Sequence, residues 1–288
     1  MEKVLITGGN GFLANRLKES LKERYKIYSF SREDLDVTNE AKVLGIFRDI
    51  KPNYVIHTAA IADTGKCENN KEMSFNINVN GTINIAKAAK SENAKVIFLS
   101  SEQVYNGNEE EGPYSEEVIP KPNTEYGRQK LKGEEEVFKY NKDSIVLRLT
   151  WLFGMPERNK KVNSNILFNT LNALTRREKI RICSNEFRGM TYVYDIVDNF
   201  EKIMQLKGGI YNCGSENNMS SYETSSYICK SLNVSYDHND IILEDTEKYK
   251  EKPRDLRISN KKLKDQGIDF DTTKKGIDRV IKEWSLIL

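Results

Sequence analysis

Residues 3–14 read KVLITGGNGFLA, and the fold of the 288-residue chain can be worked outward from them. Val4, Leu5 and Ile6 form a short apolar run. Thr7 leads into Gly8, Gly9, Asn10 and Gly11, and Phe12, Leu13, Leu17 and Leu21 then recur at helix-like spacing. Buried strand, glycine turn and helix, in that order, make the context of a dinucleotide-binding turn. Gly8 can take backbone angles closed to other residues, so the chain can turn sharply off the strand. Gly11 has no side chain to hold a pyrophosphate away from the backbone. The helix opening at Phe12 and Leu13 points its N–H groups and positive dipole end at that phosphate. Ala14 takes the third small position, where helix and strand pack closely.

Strand and helix go on alternating from there. Residues 25–30 predict a second strand ending at Ser31 and Arg32, where a dinucleotide site meets the adenosine ribose. An acidic residue would hydrogen-bond both ribose hydroxyls, whereas an arginine suits a 2′-phosphate. This favours NADP, with NAD as the alternative. Asp36 and Val37 follow, then a helix over 40–49 and a strand over 54–57. That strand ends in Thr58, Ala59, Ala60 and Ile61, small enough at first to let a ligand lie across the sheet edge. His57 reads as a packed strand histidine. A long amphipathic helix is expected over 75–90 and a fourth strand over 95–100, ending in Ser100, Ser101, Glu102 and Gln103. The acidic, proline-bearing stretch 109–122 reads as a loop at an active-site rim. A helix over 125–140 and a strand over 144–149 complete an α/β, doubly wound parallel sheet of Rossmann type.

Beyond Trp151 the rhythm loosens. Helices are expected over 163–177, 192–206, 220–232 and 274–284, and a strand over 208–213. This predicts a dinucleotide-binding domain over 1–150 and a smaller substrate domain over 151–288, with segments near 190–215 returning to the first.

Charged residues make up 31% of the chain and nearly balance at net +2, which is not the one-sided basic field of a nucleic-acid binder. No apolar run is long enough to span a bilayer, and residues 1–14 lack the basic start of a signal peptide. Cys67, Cys183, Cys213 and Cys229 are widely spaced, without a CxxC pair, and read as reduced thiols of a cytoplasmic protein. With two histidines, no metal constellation is legible.

The chemistry is carried by Tyr126 and Lys130, four residues apart on one face of a predicted helix. An ammonium beside a phenol favours the phenolate and lowers the pKa of tyrosine, making it a usable proton donor to a carbonyl oxygen. A hydroxyl from Ser101, at the end of the adjacent strand, could hold the same oxygen. Tyr-x-x-x-Lys alone is a weak signal among fourteen tyrosines. Its weight comes from following a glycine turn and a serine-ended fourth strand.

TGGNGFLA from Thr7, VIHTAAIADTGKCE from Val55, FLSSEQVYNG from Phe98, YGRQKLKGEE from Tyr126 and RLTWLFG from Arg148 together resemble an extended short-chain dehydrogenase/reductase. Within that superfamily they are most similar to the dTDP-4-dehydrorhamnose reductases and related nucleotide-sugar reductases. The likeness covers most of the first half and fades after Gly154. It implies Ser101, Tyr126 and Lys130 as a catalytic trio, Lys130 also binding the nicotinamide ribose, with a nucleotide sugar as substrate. It implies Gly11, Phe12 and Leu13 at the pyrophosphate, Asp36 and Val37 at the adenine, and Ala59, Ala60 and Ile61 as a strand-end cofactor contact. On the substrate side it implies Trp151 and Glu102, the latter where the family usually has aspartate, and it suggests a homodimer. The family's Asp-Gln-x-Gly-x-Pro-Thr run is replaced by residues 185–191, NEFRGMT, so the sugar-recognising part has changed. Arg188, Arg254 and Arg257 are candidates for gripping a substrate diphosphate.

A dehydratase of this fold would place an acidic base at position 103, where Gln103 cannot take a proton. A 4-epimerase would hold NAD throughout its cycle, against which Arg32 speaks mildly. A regulatory subunit of methionine adenosyltransferase resembles the same family, so the fold can also serve as a binding module.

Overall fold

The computed structural model describes residues 1–160, 162–234 and 237–286. They divide into two compact units. One comprises Met1–Glu109, Glu116–Leu149 and Val197–Asn212; the other comprises Glu110–Ser115, Thr150–Ile196 and Cys213–Leu288, its last two residues lying outside the described set.

The first unit is a parallel sheet with helices. β1 (Lys3–Thr7) leads into α1 (Phe12–Leu21), β2 (Lys26–Phe30), α2 (Glu40–Ile50) and β3 (Tyr54–His57). Two short helices follow, α3 (Thr64–Asn69) and α4 (Lys71–Phe75). A π-helical turn, Asn76–Asn80, leads from them into α5 (Gly81–Ser91). β4 (Lys95–Ser101), α6 (Glu125–Tyr140) and β5 (Ile145–Leu149) come next, and Gly209–Cys213 supplies a sixth strand. The order is sixth strand, β5, β4, β3, β1, β2. The pairings β1–β2, β1–β3, β3–β4 and β4–β5 are all parallel. Leu5, Val55, Val96, Phe98 and Val146 of the sheet share one buried cluster with Val43 and Phe47 of α2, Ile85 and Ala89 of α5 and Val137 of α6. Each large member contributes about 1.5–3 kcal/mol by leaving water. α2 starts where Asn39 accepts the Lys42 N–H, and α6 where the Thr124 hydroxyl accepts the Gly127 N–H.

Two expectations need correction. The helix expected over 75–90 is not continuous: it begins at Lys71 and widens into the π turn before α5. Ser74 and Asn78 are polar, yet both are buried, because their side chains serve the interior instead of water. The domain division also differs. The returning segment is Val197–Asn212, narrower than 190–215, and Glu110–Ser115 from the predicted rim loop belongs to the second unit. There the Gly112 N–H donates to Asp255 at 2.9 Å, and Tyr114 bridges to Ile258.

The second unit is built from short pieces. Three two-stranded parallel ribbons pair Trp151–Phe153 with Met190–Tyr192, Ile180–Cys183 with Ile242–Asp245, and Glu186–Arg188 with Arg254–Leu256. Helix Ile166–Arg176 packs on helix Ser221–Ser231, which opens with a capping box between Ser220 and Glu223. Helix Thr273–Glu283 lies against Met190–Tyr192.

Candidate active site

β1 lies between β2 and β3, so the chain's progress across the sheet reverses at the β1–β3 pair. Ligands of such sheets bind in the crevice beyond the carboxyl ends of those strands. Gly8 has φ of +66°, and a Cβ there would stand 2.8 Å from Thr58 Oγ1 and 2.9 Å from Ala59 Cα. The turn therefore needs glycine twice, for its backbone angle and for the approach of the β3 end. Gly11 is the N-cap of α1, in extended backbone. No side chain caps the helix, and no acidic residue stands in its first turn. An uncapped helix start after a glycine turn fits a dinucleotide pyrophosphate.

At the end of β2, the Ser31 N–H and hydroxyl donate to Asp34 at 3.1 and 2.8 Å, and Arg32 is exposed. Asp36 accepts the Thr38 N–H and hydroxyl at 3.0 and 2.8 Å, which hold its carboxyl below the usual range. Val37 is buried, its carbonyl accepting Asn84 Nδ2 at 3.0 Å.

The strand-end segment Ala59–Ile61 is fastened at both ends. The Ala59 N–H donates to Thr7 Oγ1 at 3.3 Å. Asn78 clasps Ile61 through both backbone groups: Oδ1 accepts the Ile61 N–H at 2.8 Å and Nδ2 donates to the Ile61 carbonyl at 3.0 Å. His57 bridges beneath, with Nδ1 2.7 Å from Thr7 Oγ1 and Nε2 3.0 Å from Thr82 Oγ1. The Thr82 hydroxyl already donates to the Asn78 carbonyl at 2.7 Å, so His57 Nε2 carries the proton and Nδ1 accepts from Thr7. Burial, helped by the positive charge of Lys130, drops the His57 pKa to about 3. The packed strand histidine expected from sequence thus has polar partners on both nitrogens.

Tyr126 and Lys130 lie on the buried face of α6. Lys130 Nζ stands 5.8 Å from the Tyr126 ring centroid and 4.8 Å from that of Phe98, and donates to the Leu99 carbonyl at 2.7 Å. Burial lowers the Lys130 pKa to about 8, with Glu134 and Cys67 opposing. α6 packs against β4 and the 3-10 turn Glu102–Tyr105 that follows it. Gly127 makes this approach fit, since a Cβ there would lie 2.5 Å from the Gln103 carbonyl oxygen. Ser101 tops β4; its hydroxyl accepts the Gln103 N–H at 3.2 Å and donates to Glu102 at 3.4 Å. Glu102 is buried and also accepts Gln103 Nε2 at 3.3 Å.

Below this surface, buried Glu134 receives Arg148 Nε and a terminal nitrogen at 3.0 and 2.6 Å and the Ser100 hydroxyl at 2.5 Å. The Tyr105 hydroxyl accepts from Arg148 at 2.6 Å. This cluster ties β4, α6 and β5 together. Sequence reasoning quoted these residues without giving them a role, and it missed Asn78 altogether. The available signal was polar residues at positions whose neighbours demand burial.

In the second unit the Arg188 guanidinium lies 5.1 Å from the Trp151 ring centroid, so the two predicted substrate-side residues meet. The other two arginines offered for a diphosphate are already partnered with carboxylates. Arg254 donates to Glu186 at 2.8 Å, and Arg257 makes a two-pronged pair with Asp255, its closest approach 2.6 Å. These pairs hold Glu186–Arg188 and the 255–257 bend.

Relatives and a family model bear on the site. A dTDP-4-dehydrorhamnose reductase of Aggregatibacter actinomycetemcomitans is 30% identical over 77% of this chain and 76% of its own. Methionine adenosyltransferase 2 subunit beta of Xenopus laevis is 28% identical over 92% of this chain and 83% of its own. The crystal structure of dTDP-4-dehydrorhamnose reductase from Bacillus anthracis, in complex with NADP, superposes with a TM-score of 0.87 at 28% identity, covering 98% of this chain and 99% of that one. The family model described as RmlD substrate binding domain matches residues 1–286, and the chain belongs to that family.

Proposed function

We propose that this protein reduces the 4-keto group of a nucleotide-activated deoxysugar with NADPH, NAD(H) being the alternative coenzyme. The observation that carries the reading is the dry pairing of Tyr126 with Lys130 on α6, held against the end of β4 in a sheet whose glycine turn leads into an uncapped helix. Family membership and the NADP-bound relative support it. Gly8, Asn10, Gly11, Phe12 and Leu13 would hold the pyrophosphate, Ser31, Arg32, Asp36 and Val37 the adenosine end, and Ala59, Ala60 and Ile61 the strand-end face.

A nicotinamide coenzyme held there would supply the hydride for the sugar carbon. Tyr126 gives its phenolic proton to the carbonyl oxygen as that charge develops. Lys130, kept close by its bond to the Leu99 carbonyl, stabilises the phenolate left behind. Ser101 donates to the same oxygen once its weak bond to Glu102 is exchanged for the substrate. Glu102, Trp151 and Arg188 orient the sugar nucleotide. The resemblance also suggests a homodimer, and the four buried cysteines, none in a disulfide, support a cytoplasmic location.

Loss of NADPH absorbance against a panel of 4-keto nucleotide sugars tests this, with turnover expected on at least one. Interconversion of UDP-sugars with retained coenzyme would give the site to a 4-epimerase. No turnover on any sugar, together with a stable foreign partner, would favour the binding module that the methionine adenosyltransferase subunits exemplify.

A further inference from the structure

Next to Lys130 on α6 stands Gln129, buried and polar on a helix face where an apolar residue would serve packing as well. Its Oε1 accepts from Asn78 Nδ2 at 2.8 Å, and its Nε2 donates to Ser74 Oγ at 2.8 Å. The Ser74 hydroxyl in turn donates to the Lys71 carbonyl at 3.0 Å. The orientations are forced. Asn78 must present Oδ1 to the Ile61 N–H and Nδ2 to the Ile61 carbonyl. Gln129 must therefore meet Nδ2 with its oxygen, which leaves its nitrogen for Ser74. A flip of either amide would set two donors face to face.

We propose that Gln129 is a positioning residue for the reduction. Through Asn78 it fixes the coenzyme-facing backbone at Ile61 relative to the helix that carries Tyr126 and Lys130. The inference rests on the catalytic reading of those two residues. Gln129 and Asn78 are neutral amides, so the restraint does not titrate. Lys130, His57 and Cys67, whose sulfur accepts from Asn78 Nδ2 at 3.8 Å and whose thiol burial pushes up, are the titratable groups nearby and act on reaction pH dependence separately. A tie of this kind matters because displacements of about 1 Å between reacting groups cost about a hundredfold in rate.

The test replaces Gln129 with methionine, which keeps its length and removes both bonds. With a 4-keto nucleotide sugar and NADPH, kcat should fall about 10- to 100-fold, while KM for the sugar and Kd for NADPH stay within about threefold. The deuterium isotope effect on kcat with C4-deuterated NADPH should rise. The loss should be the same factor from about pH 6 to 8, because nothing that titrates has been removed. In the coenzyme-free protein, exchange of the Ile61 amide should accelerate about tenfold. If Gln129→Met is too unstable to purify, Asn78→Ser carries the same measurements, since it keeps a hydroxyl for only one of the two Ile61 groups. A kcat within about twofold of the parent, with Ile61 exchange unchanged, overturns the proposal. Tyr126→Phe is run beside it. If that variant also keeps turnover, the reading of the active site has failed; if it alone is dead, only the role of Gln129 has.

Discussion

The two units handle polarity differently. The first buries ionic groups beside neutral ones: the Glu134–Arg148 pair and Lys130 lie dry, next to hydrogen-bonded chains through Thr7, His57, Thr82, Asn78, Gln129 and Ser74. The second keeps its guanidinium–carboxylate pairs at partial exposure, such as Arg254 with Glu186 and Arg257 with Asp255, lays Arg188 on Trp151, and buries neutral groups such as Thr150 with Thr191 and Thr170 with Ser225. Neutral buried amides are directional and cost little to keep dry, so they hold backbone at fixed spacing. Arginines on short ribbons tolerate small shifts and suit recognition of a charged, variable ligand. On the proposed function, reaction geometry falls to the first unit and substrate selection to the second, and four measurements can break or sharpen that division.

The largest effect belongs to Tyr126→Phe, which removes the proton donor and leaves the ring. It should lower kcat about 10²- to 10⁴-fold, with NADPH affinity from fluorescence titration little changed. Next comes Gly127→Ala. The added methyl meets the Gln103 carbonyl, so α6 must shift; kcat should fall about tenfold or more, and chemical denaturation should show a loss of about 1–3 kcal/mol. Arg188→Ala should raise KM for the sugar nucleotide about tenfold, close to 1.4 kcal/mol, and leave kcat nearly intact. A fall in kcat with KM unchanged would move Arg188 from recognition to chemistry and dissolve the division of labour.

The smallest effect is on stability against pH. His57 is neutral in the fold, with a pKa of about 3, and ordinarily titrates near 6.5. As pH falls below about 6.5 the unfolded chain gains a proton that the native state refuses. Stability should drop by up to about 1.4 kcal/mol per pH unit in that window. Lys130 follows the same sign: with a native pKa of about 8 against 10.5, its buried charge is relieved as pH rises between those values, and stability increases there. Urea midpoints between pH 5 and 6.5 should lose part of their slope in His57→Gln. Turnover should decline above about pH 8 as Lys130 loses its charge.

Much of the first unit was legible because its signals are local. The run at Val4–Ile6, the turn at Gly8 and the spacing of Phe12, Leu13 and Leu17 each report on their neighbours alone, and the strand over 54–57 and the helix over 125–140 follow the same logic. Tyr126 and Lys130 could be paired on one face from spacing alone, and the structure places them there. The second unit resisted reading because its strands are three or four residues long and carry too few positions to show a period.

By itself the sequence determined an α/β sheet with a glycine turn at its first strand, and a tyrosine and lysine one helical turn apart, because those patterns are set by backbone sterics and helical repeat. Only the tertiary structure decided that Glu110–Ser115 joins the second unit, that Arg254 and Arg257 are committed to carboxylates, and that Asn78 reaches Ile61 and Gln129 across 17 and 51 positions of chain. A polar residue's partner is chosen by which groups are dehydrated together, and that is fixed only when distant segments close around it.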